Sequence, residues 1–529
     1  MVNPELNQNP TPVIPPVQTF PPPADPPFYS PYAQPVVKPP RTFRKHDSVF
    51  AWLSILLGFL FMRYVTVYAD GFVTTGVFLL VFCVCAVYVR KCGCKPTVSH
   101  WILGAMICAF SAVFSLTASA LLHGLCFVFL VTAQVWWVHA VCNGTAFVTR
   151  FFPLDLTDTL AVESFAEFPA APAAISASVK KSESAKTART VLLGLLITVP
   201  LTVIVGILLA SADSAVEEIF RKIGRLLSDD VIAIAAELLF GIPIGFWFFG
   251  MLFSGGKRKD NPLRSDETHA AHLQMLRIIP NVGLYAGVTP ICLLYLLYVC
   301  TQTNYFLSAF AGRLPDSNMI YSDYARRGFF ELCAIAVINL LVLLVLNGCA
   351  AKGGKERPKA LTFYVTLLCG FTLFIIATAL AKMVLYIDAY GLTRLRLYTA
   401  WFMVLLAVVF TVLIVRQFVQ KLPTAAVLTA VFIVMFGALC FSRPDALIAE
   451  YNISRYENGT LKELDVPMLC QLSDDAYAVL LAHPEAVASA DKTEYFADKT
   501  AKRLADLDAH PDQSWNLSSQ ILLKTGASK

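Results

Sequence analysis

The sequence predicts an all-α, polytopic transmembrane helix bundle, and three observations predict it. The chain is 57% hydrophobic and only 15% charged, with a mean hydropathy of +0.62, whereas a soluble domain carries about 25% charge. Between Val49 and Phe441, long apolar stretches alternate with short polar loops, and each stretch is close to the roughly 20 residues that cross about 30 Å of hydrocarbon. Every second loop is basic, the bias that orients membrane proteins.

The elements follow in order. Residues 1–47 hold 14 prolines by position 40, including Pro21, Pro22, Pro23, Pro26 and Pro27. A segment so short of backbone donors builds no core, so a disordered or polyproline II leader is expected. It also carries no cleavable signal peptide, which makes the first span an uncleaved anchor. Eleven spans are expected, at 48–68, 72–89, 101–119, 124–148, 190–211, 231–254, 281–302, 328–350, 360–387, 397–415 and 423–441. From Pro96 to Thr149 there is no Asp, Glu, Lys or Arg, a run fit for two helices with a bend at Ser119–Gly124.

With the amino terminus inside, the inner segments hold 23 Lys plus Arg and the outer loops 8. The expected orientation is therefore amino terminus cytoplasmic and carboxyl terminus extracytoplasmic. The domain plan is a leader (1–47), a front four-helix part (48–149), an Ala/Ser/Pro-rich cytoplasmic linker (150–189), a seven-helix part (190–441) and an extracytoplasmic helical tail (442–529). In the tail, Asp445–Tyr456, Val466–Ala482 and Asp491–Ala509 read as helices. Ala215–Leu227 reads as an amphipathic helix on the outer interface, with Val216, Ile219, Phe220, Ile223 and Leu227 on one face.

Fourteen cysteines lie mostly within spans and the tail has only Cys470, so no disulfide framework is expected. Cys92 and Cys94 are too close for a zinc knuckle. His269 and His272, three apart, lack the His-Glu-x-x-His order. No metal and no cofactor is expected. No nucleotide-binding loop, nucleophile elbow or inverted repeat is present, and no basic-aromatic surface points to nucleic acid.

Ionisable residues inside spans are candidates for function by default. Here Glu237, Tyr324, Arg327, Glu331, Lys382, Asp388 and Arg394 share the outer depth, with Arg63 near the end of the first span. They are the candidate outer polar cluster, expected to form one connected network. The plainer reading is that the long side chains snorkel and Arg327–Glu331 is a local i,i+4 pair. Glu237 resists that reading, because a short carboxylate cannot reach far.

Several stretches carry a resemblance: Ala210–Asp213, Tyr321–Leu332, Tyr386–Tyr398, Tyr451–Tyr456 and Leu472–Ala476. Over about 190–480 the chain resembles the bacterial multispanning membrane proteins grouped as domain of unknown function 4173. The resemblance implies a bacterial inner-membrane location and no reaction. The expected role is non-enzymatic sensing, assembly or envelope support, with the lipid bilayer, and lipid headgroups or envelope proteins, as partners. The alternatives are a transporter or channel, which needs polar residues through the cytoplasmic half, and a transferase for a lipid-linked substrate with Glu237 or Asp388 as base.

Overall fold

The computed structural model describes residues 41–67, 71–178, 229–257, 280–301, 329–350, 358–419, 421–491, 494–509 and 515–527, with isolated positions in 194–218 and 269–275. The chain divides into a unit ending at Thr42 and a second unit from Phe43 onward. Among the described residues there is no strand, and ten helices are long and apolar enough to cross a membrane. The protein is an integral, multi-pass membrane protein. Helices pair most backbone donors and acceptors within each span, as hydrocarbon demands, with Pro243 and Pro290 interrupting the ladder in two of them.

The membrane helices are α1 (Asp47–Phe61, continued by a π-helical turn Met62–Val67), α2 (Gly71–Lys91), α3 (Val98–Ser111) and α4 (Ala120–Asn143). After a short helix α5 (Ala170–Ser178) come α6 (Asp229–Lys257), α7 (Asn281–Thr301) and α8 (Phe329–Cys349). Then follow α9 (Lys359–Tyr390), α10 (Arg394–Phe418) and α11 (Thr424–Phe441). Their bounds lie within a few residues of the expected spans, except that α3 ends at Ser111 and is continued by a separate turn, Val113–Leu116, where one span over 101–119 is expected. The remaining expected span, 190–211, and the amphipathic segment 215–227 lie for the most part outside the described residues; the described positions of the former, such as Thr198 and Thr202, are helical.

Among the described residues, three apolar cores form. The first joins α1–α4 with α5, α6 and α11. The second joins α7–α10, and the third belongs to the tail. The membrane part thus does not divide at 150–189: α6 and α11 pack with the front helices. Glycine decides this for α6. A Cβ on Gly58 would fall on the Gly241 carbonyl oxygen, and one on Gly245 would lie 2.6 Å from the Ser54 carbonyl oxygen. Ser54 and Gly58 on α1 and Gly241 and Gly245 on α6 are small residues four apart, which lets two backbones touch. The first part of the expected linker is packed as well. Ala170, Ala171 and Ala174 of α5 are at most 1% exposed, small enough to nest against α1 and α6.

The outward faces of α7 and α8 are apolar: Leu293, Leu294, Leu297, Leu341 and Leu344 are all exposed. In water such a belt would aggregate; in a bilayer, lipid tails cover it. Within the second core, Tyr295 donates to Asn339 (2.7 Å) and Asn339 to Thr372 (2.9 Å), a mid-membrane chain that links α7, α8 and α9.

The tail comprises α12 (Pro444–Glu457), α13 (Asp474–Ala482), α14 (Tyr495–Ala509) and α15 (Leu517–Ala527). The helix expected over Val466–Ala482 is interrupted. Val466–Leu469 ends at Cys470, and α13 restarts after Ser473, which is extended at ψ 175°.

Helix ends gather at two poles. One gathers Asp47, Cys92, Asp155, Glu167 and Lys257, the ends of expected inner segments; Asp47 lies 3.2 Å from Tyr88 and Lys257 lies 3.2 Å from Glu167. At the other pole, Phe72 and Thr117, at the outer ends of expected spans, and Arg394, in an expected outer loop, meet the tail.

Candidate functional site at the seam between bundle and tail

The expected outer residues resolve into separate pairs. Glu237 on α6 is 3% exposed and meets Arg63 of the π-helical turn at 3.3 Å. Asp388, near the end of α9, accepts from Arg455 of α12 at 2.8 Å. Arg394, the first residue of α10, binds Asp445 of α12. Glu331 is exposed and Lys382 half-buried. Tyr324 and Arg327 lie outside the described residues. Shared depth along the membrane normal leaves lateral position open, and these helices belong to different cores. The partners of Asp388 and Arg394 come from the tail.

The turn between α9 and α10 shows how the chain delivers Arg394. Gly391 takes φ +76° and ends α9. The Asn452 side chain fills the space where a Cβ would stand, accepting from the Leu392 amide at 2.7 Å and donating to the Leu392 carbonyl at 2.7 Å. Thr393 then caps α10, accepting from the Arg396 amide at 3.4 Å.

Three aspartates form the seam, and each is at most 2% exposed. Asp445, in the first turn of α12, receives Arg394 Nε at 3.0 Å and Nη2 at 2.6 Å, and the Ser473 amide at 3.1 Å. Burial works to raise the Asp445 pKa, but the Arg394 guanidinium and the Ser473 hydrogen bonds outweigh it and hold the carboxyl below its usual range. Asp474 opens α13 and receives Arg503 Nε at 2.8 Å and Nη2 at 3.0 Å, with the Ser519 hydroxyl at 2.5 Å.

Asp475 ties together the most distant parts. Its Oδ1 accepts from Arg443 Nε at 2.6 Å and from the Ser518 hydroxyl of α15. Its Oδ2 accepts from Thr117, in the turn between α3 and α4, at 2.5 Å, and from Ser473 at 3.2 Å. Arg443 holds a left-handed backbone (φ +53°) at the start of α12. Beside this, the Phe72 amide donates to the Trp515 carbonyl at 3.2 Å, and the two rings meet edge to face.

Every aspartate is matched by an arginine that is about one third exposed. With its carboxylate acceptors occupied, the seam ties together segments distant in the chain. The sequence signal for it is faint: Asp474 and Asp475 enter within the resemblance stretch Leu472–Ala476, and nothing marks Ser518 or Ser519.

At the opposite pole, His139 is fully buried between Ser254 (3.4 Å) and Glu163 (3.7 Å). The residue types are those of a hydrolase triad, but Ser254 donates to the Met251 carbonyl at 3.0 Å within its own helix, so no nucleophile is presented. His269 pairs with Asp155 at 2.8 Å, and Thr149 donates to the same carboxylate. These contacts hold the 149–166 segment on the bundle. Among the described residues no group of three or more His, Cys, Asp or Glu is placed to hold a metal.

A family model described as "Domain of unknown function (DUF4153)" matches residues 104–483. The match covers well over half of the chain, and the chain belongs to that family. This corrects the resemblance to domain of unknown function 4173, which is a different family. The matched region begins inside α3, so it takes in part of the front bundle, and it contains Asp445, Asp474 and Asp475 but not Arg503, Ser518 or Ser519. No curated protein and no solved structure matches the chain.

Proposed function

We propose that this protein is a non-enzymatic multi-pass protein of the bacterial inner membrane, with its amino terminus in the cytoplasm and its carboxyl terminus outside. Its task is to hold the helical tail in a fixed pose on the outer face, as an assembly or support element of the envelope. The observation that carries this reading is Asp475, which joins Thr117 of the front bundle, Arg443 at the head of α12 and Ser518 of the last helix through one buried carboxylate. Carboxylates placed in this way align a domain rather than turn over a substrate. The orientation is supported by the excess of Lys and Arg in the segments at the pole opposite the tail. Asp388 and Arg394, expected as site residues, serve this clamp.

The test has two arms. A membrane-impermeant maleimide applied to intact cells should label Asn458→Cys in the tail but not Lys257→Cys. A strain lacking the protein should admit an impermeant dye and be restored by the full chain, but not by a chain ending at Phe441 or by Asp475→Ala, both of which insert. Restoration by the tail-less chain would overturn the proposal.

A further inference from the structure

A cavity of about 770 Å³ lies among α1, α2, α4, α6 and residues 160–168, within the volume range of small-molecule sites. Its walls are side chains such as Leu57, Phe61, Phe127, Val131, Trp247 and Met251. Gln134, a polar wall residue, already donates to the Phe78 carbonyl at 3.2 Å. Phe165 and Phe240 on the lining are 61% and 44% exposed, so the cavity opens sideways, towards lipid. Water gains little in a space with so few polar partners.

Two further observations select the occupant. On α6 the lining runs from Phe240 to Met251, roughly 16 Å at 1.5 Å per residue. That is about half of a ~30 Å hydrocarbon core, the length of one acyl chain, and it lies across the middle of α6 rather than within one leaflet. At the tail-pole end, Arg63 adjoins the lining residue Met62 and Glu237 precedes Phe240 by one turn. Arg63 gives Nη1 to Glu237, is one third exposed, and has further N–H donors in its fork. Trp247 stands on the wall and serves as a probe of the slot. An apolar slot of acyl-chain length with a cation beside its tail-pole end fits an anionic lipid.

We infer that this cavity holds one acyl chain of a phospholipid from the tail-side leaflet, with the phosphate on Arg63. The inference adds a lipid site to the clamp and stands without it, because the seam residues do not line the cavity.

The experiment uses the full chain reconstituted in vesicles of phosphatidylglycerol with brominated acyl chains. Bromine should quench Trp247, read as the difference between the native protein and Trp247→Phe. Native mass spectrometry from mild detergent should show one phospholipid per chain. Val131→Trp, or Ala161→Phe should the first variant fail to fold, should fill the slot and reduce both signals at least tenfold. The double variant Arg63→Gln/Glu237→Gln removes both charges together and should lose the preference for phosphatidylglycerol over diacylglycerol. Equal quenching in native and filled variants, or no retained lipid in the native protein, overturns the inference. An unchanged preference in the double variant overturns the assignment of Arg63.

Discussion

Removal of the Asp475 carboxylate tests the clamp most directly. The side chain is fully buried and accepts from Arg443, Ser518, Thr117 and Ser473. In Asp475→Ala, Arg443 turns to water, since it is 35% exposed, and an exposed pair is worth at most about 1 kcal/mol. The Ser518 hydroxyl lies 3.0 Å from the Leu116 carbonyl and finds an acceptor there. Thr117 and Ser473 lose a charged acceptor, at about 1.5 kcal/mol each even at the low end. The loss is about 4 kcal/mol, close to three decades in the opening equilibrium of the tail.

Cys470, buried in the tail's own core, reads the local unfolding of the tail that follows its loosening. It is the sole cysteine of the tail, is 9% exposed, and burial pushes its thiol up to about 11, so in the closed state it reacts slowly. Pulsed maleimide labelling at pH 8 should accelerate by two to three decades in Asp475→Ala, on the order set by 1.4 kcal/mol per decade. Asp388→Ala is the control. Its pair with Arg455 is the exposed one, with Asp388 56% exposed, so labelling should rise less than about fivefold. Equal rates in the two variants would refute the idea that Asp475 holds the tail to the bundle.

Three further outcomes are expected. Arg63→Gln should destabilise by about 3–5 kcal/mol, because it strands buried Glu237, whereas Glu237→Gln leaves a one-third-exposed arginine and should cost about 1 kcal/mol or less; denaturation in detergent measures both, and equal losses would count against the pair. Gly245→Ala should cost about 1–3 kcal/mol by overpacking α1 against α6, while Gly76→Ala, with nothing within 4 Å of the new Cβ, should be neutral or stabilising by the same assay. The depressed pKa of Asp445 contributes stability that is full above the ordinary carboxylate value near 3.8 and is lost as pH falls through the lower folded value; Cys470 exposure followed downward from pH 6 should therefore rise only below about pH 4, and an onset near pH 5.5 would contradict the sign.

The spans were legible because hydrocarbon imposes a local rule: about 20 apolar residues in a row need no knowledge of neighbours. The packing of 152–178 was not, since its composition reads as a linker. Only the close fit of Ala170, Ala171 and Ala174 against α1 and α6 reveals why small residues are there. The last helix, Leu517–Ala527, was missed because Ser518 and Ser519 read as loop residues, whereas both donate to buried aspartates. Ser473 and Asp474 read as punctuation, and the structure breaks the expected Val466–Ala482 helix there.

The depth argument found the charges at the pole but not their partners, and the reason bears on function. A charged residue at a helix end has two outlets: a long side chain reaches water, and a short carboxylate must be met where it stands. Glu237 is met by Arg63 of its own bundle. Asp445, Asp474 and Asp475 are met by arginines and hydroxyls that lie between 2 and 358 residues away in the chain. The tail has its own apolar core, and Leu392 and Leu397 of the bundle pack against it. Apolar contact of that kind is non-directional and would tolerate rotation of the tail on the bundle. Of the three carboxylates, Asp445 and Asp475 cross to the bundle, and paired hydrogen bonds with fixed geometry remove that freedom. Asp474 locks α13 to α14 and α15 inside the tail. The division of labour is what a domain needs if its position on the membrane surface, rather than any reaction within it, is what the protein supplies.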